Sequence, residues 1–190
     1  MKLIIASNNK HKIYEIKKIL GSKFPEILSL SEAGIDHETI EDGETFMANA
    51  FKKAREIAEI SGQAALADDS GICVDALGGA PGVYSARFSG VHGNDEDNNK
   101  LLLEKLLGIT QRDAHYTCAM ALVYPDGKEI SAEGYMYGTI TEKPRGNAGF
   151  GYDPLFVPTG ESRTVAEMTD DEKNAISHRA NALAALLEKL

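Results

Sequence analysis

Hydrophobic and polar positions change their period along the first third of the chain. Apolar runs at residues 3–6 and 27–30 are short enough to be buried strands, and residues 45–60 predict a helix. A helix between the two strands is indicated by apolar residues at helical spacing, namely Ile13, Ile16 and Leu20. The stripe that the helix over residues 45–60 buries is predicted to be Phe46, Ala50, Ala54 and Ile57. The pattern therefore predicts strand, helix, strand and helix, in this order.

The second half of the chain contains a predicted helix and a predicted hairpin. Asn94 and the acidic residues 95–97 that follow it indicate an N-cap and the first turn of a helix. Residues 116–124 alternate large and small apolar side chains, residues 125–127 supply a turn, and residues 128–137 return. We expect these two strands to extend the sheet.

The C-terminal segment predicts a helix that begins just after Ser177. Lys173 and His178 would lie about 140° apart around a single straight helix, so we assign Lys173 to the turn before the cap. His178 and Arg179 are then first-turn residues that can face a ligand. The apolar face of this helix is predicted to consist of Ala180, Leu183, Leu187 and Leu190.

The segment around which the chain is organised combines carboxylates with glycines. An apolar run at residues 64–67 predicts a buried strand that ends at Asp68 and Asp69. After a second apolar run, the glycine-rich loop 78–82 carries little side-chain bulk and can approach another group closely. The arrangement suits a magnesium and phosphate site, and the alternative is a tight turn capped by aspartate.

A second candidate site is the turn after the first strand. Ser7, Asn8 and Asn9 lead into a helix N-terminus, where unpaired backbone N–H groups and the helix dipole favour an anion. Lys10 and Lys12 add positive charge there. The alternative is that the polar residues only cap the helix while the lysines are solvated.

Three further segments carry residues with the chemistry of an active site. Asn49 and Lys53 are four residues apart on the second predicted helix, so both can project into a cleft. Glu41 lies on the preceding loop, where it is accessible to a hard cation, although acidic residues are also favoured at a helix N-terminus. In the loop 144–156, glycines beside Phe150 and Tyr152 would let a flat ring lie against the backbone, as a nucleobase platform requires. The alternative is that the two aromatic residues anchor the loop to the core, which is the more common role of loop aromatics.

Composition narrows the range of partners. The 190 residues are 43% hydrophobic and 26% charged, enough for a substantial core in one domain or in two closely joined lobes. A formal net charge of -9 disfavours long-range attraction to nucleic acid or to an anionic membrane. The first apolar run is too short for a signal peptide, and Cys73 and Cys118 lack metal-binding spacing. We therefore expect a soluble cytoplasmic protein that binds neither nucleic acid nor membrane.

Seven motifs together resemble the inosine triphosphate pyrophosphatase family, the noncanonical purine nucleoside triphosphate pyrophosphatases. In chain order they are S-N-N-K-H-K from Ser7, E-D-G-E-T-F from Glu41, N-A-F-K-K-A from Asn49, A-D-D-S-G from Ala67, L-G-G-A-P-G-V-Y-S-A-R from Leu77, G-F-G-Y-D-P from Gly149 and S-H-R-A from Ser177. The resemblance covers the chain from its first strand to its last helix. It implies an α/β fold with an elongated mixed β-sheet, flanking helices and two lobes around a central cleft. It also implies one pyrophosphatase domain over residues 1–190, a homodimer and a requirement for Mg²⁺.

The resemblance also assigns roles to residues. Asp69 is implied as the general base and, with Glu41, as a metal ligand. Nucleotide contacts are implied for Ser7, Asn8, Asn9, Lys10, His11, Lys12, Lys53, Ser70, Phe150, Gly151, Tyr152, Asp153, Lys173, His178 and Arg179. The implied activity is hydrolysis of ITP, dITP and XTP to the monophosphate and pyrophosphate. Two alternatives remain, namely a Maf-like pyrophosphatase for other modified nucleotides and a nucleotide-binding regulatory protein without turnover.

Overall fold

The structure is a computed structural model that describes residues 2–190, with the exception of the His11 side chain. Its strands are β1 Lys2–Ile5, β2 Glu26–Ser29, β3 Ala64–Val74, β4 Asp113–Val123, β5 Glu129–Ile140 and β6 Phe156–Pro158. Its α-helices are α1 Lys10–Leu20, α2 Phe46–Ser61, α3 Asp95–Lys105, α4 Asp170–Ile176 and α5 His178–Leu187. All the helices and strands predicted from the sequence are present, with boundaries shifted by a few residues.

The strands form one mixed sheet in the order β2-β1-β3-β4-β5-β6. β1 runs parallel to both β2 and β3, whereas β5 and β6 are antiparallel. The predicted fold class, α/β with a mixed sheet and flanking helices, is confirmed.

The chain divides into two compact units. The first contains the residues up to Asp69 together with Cys118–Gly134 and Ala180–Leu190. The second contains Ser70–Thr117 and Tyr135–Arg179. The buried apolar side chains follow the same division, because two hydrophobic clusters lie in the first unit and one lies in the second.

In the first unit, the alternation of side chains along the strands gives the sheet two apolar faces. Leu66 belongs to the cluster that contains residues of α1 and α5. Ala65 and Ala67 belong to the other cluster, which contains the buried residues of α2. Successive strand residues point to opposite faces, so α1 and α5 cover one face of β3 while α2 covers the other.

The prediction that a strand ends at Asp68 is wrong, because β3 continues through Asp68 and Asp69 to Val74. The strand pairs through backbone groups, which are the same in a charged residue as in an apolar one. The carboxylates are accommodated because each meets a polar partner, as described below. The two apolar runs of the sequence are thus the two ends of one long strand.

The helix termini follow the sequence signals in most places. Thr45 caps α2 by accepting a hydrogen bond from the Ala48 N–H, and Asn94 caps α3 by accepting one from Asp97. Lys173 departs from its prediction, because it lies inside the short helix α4 and not on a turn. Ser177, with an extended backbone, separates α4 from α5.

The predicted apolar face of α5 is partly wrong. Leu183 is buried as expected, but its buried neighbours are Ala182 and Leu186. Ala180 and Leu187 are only half-buried. The stripe that packs on the sheet is therefore rotated by about one residue from the predicted one. Among the described helices, none has both the length and the apolarity needed to cross a membrane.

Candidate active site

The two adjacent carboxylates of β3 have different environments in the first unit. Asp68 lies on the face covered by α1, where its Oδ2 accepts a hydrogen bond from Lys12 Nζ at 2.9 Å. The Asp68 side chain is only 4% exposed and that of Lys12 is 22% exposed, so the carboxylate of this ion pair is buried and the ammonium is partly accessible. Because a buried charge is stable only when it is paired, Lys12 and Asp68 fix the first turn of α1 against β3.

Asp69 lies on the opposite face, where α2 supplies its partners. Asn49 Nδ2 donates a hydrogen bond to Asp69 Oδ2 at 2.9 Å, and Lys53 Nζ lies 3.9 Å from Asp69 Oδ1. Positions 49 and 53 are four residues apart, one turn of helix, so both side chains project towards the same carboxylate. The shared face predicted for this pair is therefore observed.

Glu41 joins the same group through Lys53. Its Oε2 lies 3.1 Å from Lys53 Nζ, so one ammonium lies between the carboxylates of Glu41 and Asp69. The loop that carries Glu41 is anchored to α2, because the Gly43 N–H donates to Asn49 Oδ1 at 2.8 Å. A Cβ added at Gly43 would lie 2.6 Å from that oxygen, so a larger residue there would displace the Asn49 amide. Asn49 thus contacts the Glu41 loop and Asp69 at the same time.

Two of the polar residues before α1 act as local caps, and a third contacts a distant loop. Asn9 Oδ1 accepts from the Lys12 N–H at 3.2 Å, and Ser7 Oγ accepts from the Asn9 N–H at 3.1 Å. Asn8 Oδ1 accepts from the Ser31 N–H at 2.9 Å. Lys10 is exposed on the first turn of α1. The remaining predicted residue of this turn, His11, lies in α1, and its side chain is outside the part of the chain that the structure describes.

A second polar group lies in the second unit and is centred on Asp153, which is 3% exposed. Lys173 Nζ donates to Asp153 Oδ2 at 2.6 Å, and the Phe150 N–H donates to the same oxygen at 3.0 Å. Gly149 has a φ of +78°, and a Cβ added there would clash with the Asp153 carboxylate. Glycine at 149 therefore permits the close approach that lets Asp153 close the loop.

Phe150 is the exposed aromatic residue of this loop. The residue is 57% exposed although its backbone N–H is hydrogen-bonded. Lys173 Nζ lies 4.4 Å from the centroid of the Phe150 ring, within the range of a cation–π interaction. Tyr152, by contrast, is buried, and its hydroxyl donates to the Ser85 carbonyl at 2.8 Å. Of the two aromatic residues, only Phe150 offers a face for stacking.

Tyr116, which was predicted only as a strand residue, belongs to the polar group around Asp153. Its ring stacks on that of His178 at 4.9 Å with an interplanar angle of 14°. Its hydroxyl donates to Asp153 Oδ1 at 3.4 Å. Burial and the nearby Asp153 charge raise the Tyr116 pKa well above its ordinary value, so the hydroxyl remains a donor. The alternating pattern of residues 116–124 predicted a strand that begins at Tyr116 but gave no information about the partners of this residue.

The remaining predicted contacts occupy defined positions. His178 and Arg179 begin α5 and are 7% and 6% exposed. Ser70 follows Asp69 in β3 and is half-buried. The glycine-rich loop 78–82 forms a turn in which Gly78, Gly79 and Gly82 have positive φ. No described atom lies within 4 Å of a Cβ added at these three positions, so backbone conformation is what requires glycine there.

Comparison with known proteins gives consistent matches over the whole chain. The model of the Ham1 family matches residues 3–189. The chain is 52% identical over 197 residues to the dITP/XTP pyrophosphatase of Clostridium perfringens (strain 13 / Type A). This match covers 100% of this chain and 97% of that protein.

Two solved structures are also similar. The crystal structure of the nucleoside-triphosphatase / dITP/XTP pyrophosphatase from Mycobacterium abscessus has a TM-score of 0.84 and 49% identity, and the match covers 98% of this chain and 99% of that one. The Staphylococcus aureus Ham1 protein has a TM-score of 0.91 and 38% identity, with coverage of 100% and 99%. The similarity in fold and in sequence therefore extends over almost the full length of the chain.

Proposed function

The chain belongs to the Ham1 family, and from this premise we propose that it hydrolyses the noncanonical purine nucleoside triphosphates ITP, dITP and XTP to the monophosphate and pyrophosphate. The family predicted from the motifs is confirmed. Two relatives, at 52% and 46% identity, carry the name dITP/XTP pyrophosphatase. The protein is thus a hydrolase of acid anhydrides that removes such nucleotides from the pool.

The observation that carries the proposal is the arrangement of Asn49, Lys53 and Glu41 around Asp69. Asp69 would accept a proton from the attacking water. Its carboxylate is oriented for this because Asn49 holds one oxygen and leaves the other beside Lys53. Lys53 would offset the charge of the phosphates, which a carboxylate pair alone would repel.

Glu41 and Asp69 also fit a magnesium ion, because both carboxylates already converge on a positive group, the ammonium of Lys53. The described side chains include no group of three or more His, Cys, Asp or Glu residues that could hold a metal. Mg²⁺ usually takes only one or two protein carboxylates and completes its shell with phosphate oxygens and waters. When bound, the ion would neutralise charge on the triphosphate and lower the pKa of the attacking water.

The other predicted contacts divide into two chemical classes. We propose that triphosphate binding involves Ser7, Asn8, Asn9, Lys10, His11, Lys12, Lys53 and Ser70. We propose that the purine and its sugar contact Phe150, Gly151, Tyr152, Asp153, Lys173, His178 and Arg179. The exposed ring of Phe150 supports the second set, because stacking on an aromatic face contributes about 1–3 kcal/mol per base at nucleic-acid sites.

A substrate panel tests the function directly. Pyrophosphate release would be measured for ITP, XTP, ATP, GTP and dTTP with Mg²⁺, and we expect the highest kcat/KM for ITP and XTP. A preference for dTTP or for methylated nucleotides would favour a Maf-like enzyme instead. Tight nucleotide binding without pyrophosphate release would indicate a regulatory protein.

We further propose that the protein acts as one pyrophosphatase domain over residues 1–190, as a homodimer, in the cytoplasm. Its partner molecule would be the nucleotide, with neither nucleic acid nor membrane involved. A cytoplasmic location is supported by the two cysteines, Cys73 and Cys118, which are both thiols. The net charge of -9 supports the absence of polyanionic partners.

A further inference from the structure

Helix α3 holds one residue of the Phe150 loop by both of its backbone polar groups. The Gly151 N–H donates to Asp95 Oδ2 at 2.6 Å, and the Gly151 carbonyl accepts from Asn99 Nδ2 at 2.8 Å. Positions 95 and 99 are one helical turn apart, so their side chains project from the same face of α3. Hydrogen bonds to a carboxylate are shorter and stronger than neutral ones. We refer to Asp95 and Asn99 as the α3 clamp.

The clamp acts on a glycine, the residue type with the greatest backbone freedom. Gly151 has a φ of +60° and follows Phe150 directly, so holding its N–H restrains the peptide group that joins it to Phe150, whose backbone carries the aromatic ring. Glycine loses more conformational freedom on ordering than any other residue. Without an external anchor, a ligand that stacks on Phe150 would have to order this backbone as it binds, at a cost in affinity.

The neighbouring residues of the loop are anchored to other elements. The Tyr152 hydroxyl reaches the Ser85 carbonyl, and Asp153 accepts from the Phe150 N–H and from Lys173. The contacts of Asp95 and Asn99 complete this set, and they leave the Phe150 ring exposed. The acidic first turn of α3 therefore not only interacts favourably with the helix dipole but also, through Asp95, anchors the Phe150 loop.

We propose that Asp95 and Asn99 are positioning residues for base recognition, which hold the Phe150 ring preorganised to stack on the purine. The proposal rests on the proposed function, since it requires a nucleotide whose base contacts Phe150. The clamp positions a ring that contacts the base and does not contact the reacting phosphates. It therefore affects KM for ITP much more than kcat.

The test compares Asp95→Ala with Glu96→Ala. Both variants remove one negative charge from the first turn of α3, and Glu96 is exposed. Loss of a hydrogen bond to a charged group predicts that Asp95→Ala raises KM for ITP about tenfold with little change in kcat. Glu96→Ala is expected to behave as the wild type. Asp95→Asn, which can still accept from Gly151, should recover most of the loss.

Two further measurements separate positioning from general destabilisation. Amide hydrogen exchange at Gly151 should accelerate in Asp95→Ala and not in Glu96→Ala, whether or not nucleotide is present. In a double-mutant cycle with Phe150→Ala, the effect of Asp95→Ala on KM should largely disappear, because the ring that it positions is absent.

The outcomes distinguish the two proposals. If the wild-type protein releases no pyrophosphate from any purine triphosphate, the proposed function is wrong, while Gly151 exchange still reports on the clamp. If the wild type is active but Asp95→Ala matches Glu96→Ala in KM and in Gly151 exchange, the clamp is rejected. Fully additive effects of Asp95→Ala and Phe150→Ala would also overturn it.

Discussion

Asp68 and Asp69 are consecutive residues of β3 whose carboxylates contact different helices. Asp68 pairs with Lys12 of α1 at 2.9 Å, whereas Asp69 accepts from Asn49 of α2 at 2.9 Å. The side chains of a strand alternate between its faces, so two adjacent acids separate even though both are held by the same backbone. This gives the pair an asymmetry that mutation can test.

Asp69→Asn is expected to abolish turnover. The substitution keeps the shape of the side chain but removes the base and a charged metal ligand, and the loss of an essential acid-base residue predicts a fall in kcat of about 100-fold or more. Steady-state pyrophosphate release and ITP binding would be measured on the same preparation, and binding should be largely retained.

Asp68→Asn is the matched control at the neighbouring position. Because Asp68 is paired with Lys12 inside the first unit, we expect lower stability and a milder loss of activity. Thermal unfolding should show the larger change in Asp68→Asn, and kcat the larger change in Asp69→Asn. Near-normal kcat in Asp69→Asn, or equal losses in both variants, would contradict the assignment of the base.

Asp153→Asn is expected to affect both stability and nucleotide affinity. It removes the charge that pairs with Lys173 in a largely buried position, which predicts a loss of about 3 kcal/mol in the free energy of unfolding. It also weakens the hydrogen bond that closes the Phe150 loop, so KM for ITP should rise. Denaturant titration and steady-state kinetics would be compared with Asp171→Asn, an exposed acid on α4. Equal behaviour of the two variants would show that Asp153 does not organise the loop.

Arg179→Ala tests the recognition of the base. Inosine and xanthosine have a keto acceptor at position 6 where adenosine has an amino donor, so a guanidinium facing that edge favours the keto bases. We expect kcat/KM for ITP to fall about tenfold or more and the preference for ITP over ATP to narrow, since a mispaired polar group costs about 1–3 kcal/mol. A fall by the same factor for both nucleotides would make Arg179 a general binding or structural residue.

The acid sensitivity of α4 should depend on Glu172. A backbone hydrogen bond from Thr169, followed by the side chain of Arg163, lowers the Glu172 pKa from 4.5 to about 2. A carboxylate with a lowered pKa stabilises the folded state above its ordinary pKa, and this contribution is lost as the pH falls towards 2. The melting temperature of the wild type should therefore exceed that of Glu172→Gln near neutral pH. The difference should shrink between about pH 5 and about pH 3.

Gln is the appropriate replacement because it can keep the capping box that Glu172 forms with Thr169. A difference in melting temperature that stays constant over this pH range would show that the charge of Glu172 makes no contribution.

The proposed homodimer is tested by sedimentation equilibrium at micromolar concentration. We expect a mass twice that of the 20.5 kDa chain. A single species of 20.5 kDa would reject the dimer without affecting the assignment of the active-site residues.

The sequence by itself determined the family and the order of most strands and helices, although it predicted neither β6 nor α4. Periodicity located β1, α1, β2 and α2, because burial of one face is a local property of the pattern. The motifs also identified Asp69, Lys53 and Phe150 as candidates. The spacing of Asn49 and Lys53 was enough to predict that they share a face of α2, as observed.

Only the tertiary structure decided what each candidate contacts. The sequence pattern placed a strand end at Asp68, but pairing with neighbouring strands extends β3 to Val74. That continuity directs Asp68 towards α1 and Asp69 towards α2. Likewise, Asp95 could be recognised only as part of an acidic first turn until Gly151, 56 residues away, was found to donate to it. Periodicity reports which face of an element is buried, whereas the partner on that face is set by distant segments brought together in the fold.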